Sequence, residues 1–214
     1  MSIKAAVQIL LFVNLINGTV WADNTISVDQ VGDTNQITIT QASPNTTVSL
    51  QLRNGGNIVG ITQGSAGDSG GHSQSLYING TENIIDTTQL NMGGVDSGHL
   101  LSATILGNAN RLTVLQQDNT TKTQNVTING NSNVMNLTQS GTGAHSLTAT
   151  LNGNGNSLTS SQTGSGSHSA TIELTNGGGP SSLDLSQSGS TNKSYSLSQT
   201  CLNPAGCSAS VSQH

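Results

Sequence analysis

Beyond residue 22 the chain has no tryptophan and no phenylalanine, and its only phenol rings are Tyr77 and Tyr195. A conventional core anchored on aromatic side chains is thereby excluded. Charge is equally thin, at 7% of residues with a formal net of -5. The basic residues past the first few positions are Arg53, Arg111, Lys122 and Lys193, too few and too scattered for the dense positive face that nucleic acid requires. No nucleic-acid partner is expected, and the mild acidity serves solubility. Nor does any apolar run beyond residue 22 approach the ~20 residues of a bilayer span. What the chain has in abundance is Gly, Asn, Ser and Thr. Polar tracts of that kind stay disordered unless they carry aliphatic residues able to bury themselves. Here aliphatic residues recur at every second position, the period of a strand.

The first residues differ in character. Lys4 supplies a positive start, Ala5 to Ile16 is mostly apolar, and Val20-Trp21-Ala22 offers a small-residue cleavage site. Residues 1–22 therefore read as a secretory signal peptide and 23–214 as a single repeat domain, placing the protein outside the cytoplasm. Gln8, Asn14 and Asn17 interrupt the apolar run, which is also too short to span a membrane.

From Asn24 onward one unit recurs eight times: Asn, aliphatic, aliphatic and Gln at steps of two, usually with Gly three residues before the Asn. The terminal Gln is present in every copy, at Gln41, Gln63, Gln89, Gln116, Gln139, Gln162, Gln187 and Gln213. Spacings of 22 to 27 residues belong to stacked repeats. The Asn stands at Asn35, Asn57, Asn83, Asn110, Asn133 and Asn156, with Ser181 in its place in the seventh copy. Between Asn and Gln lie pairs such as Ile37 and Ile39, Val59 and Ile61, or Met135 and Leu137, all of one parity and so on one face of a strand. A second alternating run precedes each turn, for example Leu101, Ala103 and Ile105, or Leu147, Ala149 and Leu151. Thr40, Thr62, Thr88, Thr138 and Ser161, of opposite parity, face water. The expected architecture is all-β: a β-solenoid of about eight strand-turn-strand repeats with the two apolar faces turned toward each other.

Fixed spacing in the Gly-x-x-Asn turn, as from Gly107 to Asn110, keeps register, because a slip of one residue would turn the apolar set outward. Between repeats the length varies, with insertions at Gly64 to Gly71 and Leu90 to Gly98, so that edge must tolerate loops. Buried amides are costly unless paired. Stacked at the ~4.8 Å strand spacing, the Gln and Asn columns are expected to hydrogen-bond along the axis, each amide donating to the next rung.

Three further features bear on chemistry. Cys201 and Cys207 flank the last turn, "CLNPAGC", and in an exported chain such a pair reads as a disulfide worth roughly 2 to 2.5 kcal/mol. Where each repeat opens, a mixed column runs Asn24, Thr46, His72, His99, Lys122, His145, His168 and Lys193. Its paired histidines on adjacent rungs are close enough to share a metal ion, but no third ligand recurs beside them, and strand-end imidazoles serve equally as plain polar edges; no metal or other cofactor is expected. Every Ser, His and Asp falls in a column or a turn, with no cluster suited to nucleophile, base and orienter, so no enzyme is expected.

Asn24, Gln30, Gly32, Asn35 and Gln41 resemble, position for position, the curlin repeat Ser/Asn-x5-Gln-x-Gly-x2-Asn-x5-Gln of curli fibre subunits. The resemblance runs through residues 23–214. It implies a secreted subunit that polymerises with copies of itself into extracellular fibres for adhesion or biofilm matrix, exported through a dedicated outer-membrane pore and started by a surface nucleator. The chain departs from the pattern in two columns: the family's opening Ser gives way to the mixed column from Asn24 to Lys193, and its first inner Gln survives only as Gln30 and Gln199, while Leu52, Ile78, Ile105, Ile128, Leu151 and Leu174 fill the copies between. Stacked subunits would bring Gln199 of one against Gln30 of the next. The alternative is a solenoid that binds without polymerising, of ice-binding or adhesin type. Against it, the outward Ser/Thr columns are interrupted by Gly60, Asp86, Asn136 and Asp184.

Overall fold

Aliphatic residues with Ser and Thr between them favour a pleated backbone, and alternation sends one set to each face. The computed structural model describes residues 10–15, 23–65, 67–68, 70–91 and 98–214. Most of the segment read as a leader, and part of both loop insertions, lie outside the described residues.

Every described element is a strand. Leu10–Leu15 forms β1. The others come in pairs, one pair to a repeat: β2 (Thr25–Val31) and β3 (Gln36–Gln41), β4 (Thr47–Arg53) and β5 (Ile58–Gln63), β6 (Ser73–Asn79) and β7 (Ile84–Leu90), β8 (Leu100–Leu106) and β9 (Arg111–Gln117). The series continues with β10 (Thr123–Asn129) and β11 (Val134–Gln139), β12 (Ser146–Asn152) and β13 (Ser157–Gln162), β14 (Ser169–Asn176) and β15 (Ser181–Gln187), β16 (Ser194–Cys201) and β17 (Cys207–Gln213). The even strands stack into an eight-stranded sheet, β2 to β16, and the odd ones into a nine-stranded sheet, β1 to β17. All pairings are parallel, so the chain is a β-solenoid of eight rungs. Among the described residues no helix is long and apolar enough to cross a membrane.

Register holds without a slip along the rod. Gln41 lies over Gln63, Gln63 over Gln89, and so on to Gln213. Inward positions of both sheets meet in one continuous core, with Leu50, Ile78, Leu112, Ile128 and Leu158 at 2% exposure or less. Among the described residues β2, β16 and β17 have a strand on one side only, and there Ile26, Val28, Tyr195, Leu197, Ala209 and Val211 are only partly buried.

The tight turns require left-handed backbone at two places. In the Gly column φ is positive, +127° at Gly107, and a Cβ there would sit 2.1 Å from the carbonyl oxygen of Gly130, so successive turns nest too closely for any side chain. The residue just before the Asn is also left-handed, at Thr34, Glu82, Ala109 and Ser132. Composition gave no signal of this second position, because the residue type there varies.

Candidate functional site

The features that set this rod apart are its three internal ladders and its two ends. In the Gln ladder each Nε2 donates to Oε1 of the following rung, at 2.7 to 3.2 Å, from Gln41 through to Gln213. The second hydrogen of each Nε2 crosses to the opposite sheet. Gln63 donates it to the Thr47 carbonyl at 3.1 Å, Gln116 to that of Leu100 at 3.0 Å and Gln162 to that of Ser146 at 3.1 Å. Each Gln thus ties its rung shut as well as stacking on its neighbours.

The Asn ladder runs the other way. Nδ2 of Asn57, Asn83, Asn110 and Asn133 donates to Oδ1 of the preceding rung at 3.0 to 3.1 Å. The same Oδ1 accepts the backbone N–H of the following Asn, and the other Nδ2 hydrogen reaches the Gly carbonyl of the following turn, 2.9 Å from Asn57 to Gly80. The expectation that both columns donate toward the next rung holds for Gln and is reversed for Asn. Turn geometry decides it: the backbone N–H groups that close the turns need Oδ1 facing the following rung. The Asn ladder stops at Asn156, whose Nδ2 turns to the Asn152 carbonyl, and Asn156 Oδ1 then accepts from the Ser181 N–H.

The mixed column is the third ladder, and it is not a polar edge. Thr46, His72, His99, Lys122, His145 and His168 are 0 to 1% exposed. Four of the column's links follow the logic of the Asn column on the loop side. The N–H of Thr46 donates to Asn24 Oδ1 at 3.0 Å, that of His99 to His72 Nδ1 at 3.1 Å, that of Lys122 to His99 Nδ1 at 3.2 Å, and that of His168 to His145 Nδ1 at 3.3 Å. On the other side of the ring, Nε2 of His99, His145 and His168 lies 2.7 to 3.0 Å from the carbonyls of Leu90, Ser140 and Thr163. An N–H can only donate and a carbonyl only accept, so His99 and His145 are neutral with the proton on Nε2. His99 and His145 therefore have no ring nitrogen left for a metal ion. Burial agrees, lowering both to about 4.

The rings stack at 5.0 Å between centroids, His72 on His99 and His145 on His168. His72 Nε2 meets Asp68 at 3.0 Å. Burial would raise the Asp68 carboxyl, but hydrogen bonds from His72, Asn91 and Gly70 outweigh it and hold the group below its ordinary value. Lys122 ends in a cage of oxygens from two successive loops: Thr120 O and Oγ1, Gly141 O and Gly143 O, all within 3.0 Å. Burial pushes it down to about 8. The column thus closes loops of unequal length, as Asn closes turns of equal length.

Cys201 and Cys207 are joined by a disulfide, with Cα atoms 5.5 Å apart, and Cys201 is fully buried. Gln30 and Gln199 lie in the end strands opposite Leu52 and Leu174. Gln30 Nε2 turns back to the Gly32 carbonyl at 3.2 Å, and its Oε1 has no partner.

No protein-family model, no curated protein and no solved structure matches the chain. The reading of function rests on its own residues and geometry.

Proposed function

We propose that the protein is a secreted structural subunit that polymerises head to tail into extracellular fibres of the curlin type, for adhesion or biofilm matrix. One observation carries this reading: the core does not end at the end rungs. Tyr195, Leu197, Ala209 and Val211 at one end, and Ile26 and Val28 at the other, leave apolar cross-sections half open beside unpaired strand edges. Unlike ends meet in the register of the internal columns, and a contact between unlike ends propagates without closing. The polarity of the Gln ladder favours that orientation, because two like ends would set acceptor against acceptor or donor against donor. Use of a curli-type pore and nucleator belongs to the same proposal and rests on the repeat motif. Fibres from purified protein, with a meridional reflection near ~4.8 Å, are the expected result. A monodisperse rod at high concentration would refute it.

One observation favours a second reading. The interruptions at Gly60, Asp86, Asn136 and Asp184 lie in the odd-strand sheet. The outward column of the other sheet runs Ser27, Ser49, Ser75, Ser102, Asn125, Thr148, Thr171 and Ser196, with Asn125 its one interruption. A flat, regular hydroxyl face suits an ice-binding or adhesin-like solenoid. Thermal hysteresis from unpolymerised protein would favour that reading over fibres.

A further inference from the structure

Strand β1 does not belong to the repeats, yet it occupies their lattice. It pairs parallel with β3, placing Leu11 opposite Ile37, Val13 opposite Ile39 and Leu15 opposite Gln41. On the other edge of β3 the same columns continue as Val59, Ile61 and Gln63. At the far end of the rod they finish as Ala209, Val211 and Gln213 in β17. In a head-to-tail junction β17 of one subunit would lie on β3 of the next. β1 holds that place.

One atom shows that β1 is a substitute for the proper occupant. Gln41 is 4% exposed, and its Nε2 donates down the ladder to Gln63, but its Oε1 has no partner. In every later rung that oxygen receives Nε2 of the preceding Gln. The register position over Gln41 is held by Leu15, a residue without an amide. Gln213 is the ladder's one donor with no following rung. It accepts from Gln187 at 2.8 Å and spends Nε2 on a 3.5 Å contact with the Ser194 carbonyl. The orphan acceptor and the orphan donor lie at opposite ends, in one column and with matching polarity.

We propose that, in the chain that still carries its first 22 residues, residues 10–15 form an intramolecular plug on the elongation face, whose place passes, on cleavage after Ala22 or by direct exchange, to β17 of a second copy with its Gln213 donating to Gln41 Oε1. The proposal rests on the fibre reading above. β1 covers only half of the rung. Among the described residues no strand lies on the adjoining β2 edge, with Ile26 and Val28 partly buried and Gln30 Oε1 unpartnered. That edge gives β16 of the incoming copy a foothold, from which the exchange proceeds to β3. While β1 is in place the subunit is held out of fibres, and its removal or displacement commits the subunit to one.

The full 1–214 chain tests this with two substitutions of opposite expected sign. By alternation along the ladder the N–H of Phe12 faces β3 while that of Val13 faces away, so Phe12→Pro takes a ladder donor out of β1 and releases it, whereas Leu15→Gln supplies the missing amide and tightens it. Two quantities are read: hydrogen exchange at the β3 amides in dilute monomer, and the rate of elongation on sheared seeds. The N–H groups of Gln36 and Ala42 point toward β5, so by alternation those of Ile37 and Ile39 point toward β1. Both should be protected in the parent chain and in Leu15→Gln, and exposed in Phe12→Pro. Relative to the parent, elongation should be about tenfold faster in Phe12→Pro and about tenfold slower in Leu15→Gln, each the ratio of one amide hydrogen bond. Unprotected Ile37 and Ile39 amides in the parent chain, or equal elongation in all three chains, would overturn the plug. Protection that shifts as stated with no fibre from any chain would instead overturn the fibre reading, and the displacement step with it.

Discussion

Gln124 carries an amide into a column where its register neighbours are Leu101 and Leu147. It is 0% exposed, and neither its Oε1 nor its Nε2 has a partner. Gln74, in the same column, accepts on its Oε1 the hydroxyl hydrogen of Thr87 at 2.7 Å. A stranded buried amide costs about 1–3 kcal/mol, so Gln124→Leu should stabilise the fold by that order. Thermal unfolding should shift upward by a few degrees. His99 and His145 make the opposite kind of commitment, being satisfied only when neutral. His99 and His145 are lowered from an ordinary 6.5 to about 4, so between those values the unfolded chain binds more protons and stability rises with pH. The stability present above pH 6.5 is therefore lost as pH falls toward 4, at up to about 1.4 kcal/mol per unit for each ring. Urea midpoints at pH 7 and pH 4.5 measure the loss. His145→Asn, which keeps an acceptor and a donor but does not titrate, should remove its share.

At the scale of the rung, the Gln ladder couples neighbours that lie 22 to 27 residues apart in sequence. Gln139→Leu should orphan Gln116 Nε2 on one side and Gln162 Oε1 on the other. Each orphan costs about 1–3 kcal/mol, and a denaturant midpoint that fails to move would show the ladder to be incidental. Strands, their parity and the Gln column were legible in the sequence because period-two alternation and constant turn length leave one way to stack. The mixed column was visible but misread. Asn24, Thr46, His72 and Lys122 share no chemistry on paper, and only the fold shows that each lies at the mouth of a loop, with its backbone N–H or its side chain bonded to the neighbouring rung. Ladder polarity was not legible either, because an amide's residue name does not say which way its oxygen points. The lattice position of β1 was hidden by its setting, since Leu10 to Leu15 reads as part of an apolar leader.

For the whole rod, Gln30 and Gln199 become informative as a pair. Each faces Leu inside the subunit, so each lacks an amide neighbour until ends meet. Either single change to Leu should raise the critical concentration for fibre growth, whereas Gln30→Leu with Gln199→Leu should restore it, the sign expected of coupled neighbours. Strictly additive effects in the four chains would dismiss the pairing. The direction of the ladders also governs how such a rod bears tension. Backbone and ladder bonds between rungs all point along the axis, so a pull on the ends loads every bond of one rung together and successive rungs in series. Past Asn156 the Asn ladder has stopped and only the Gln ladder continues to the end of the rod. Under force the C-terminal rungs should peel first. The disulfide lies within a rung, not between two, and will not resist that step; it will only shorten the released tether by the six residues it spans, about 20 Å of extended chain.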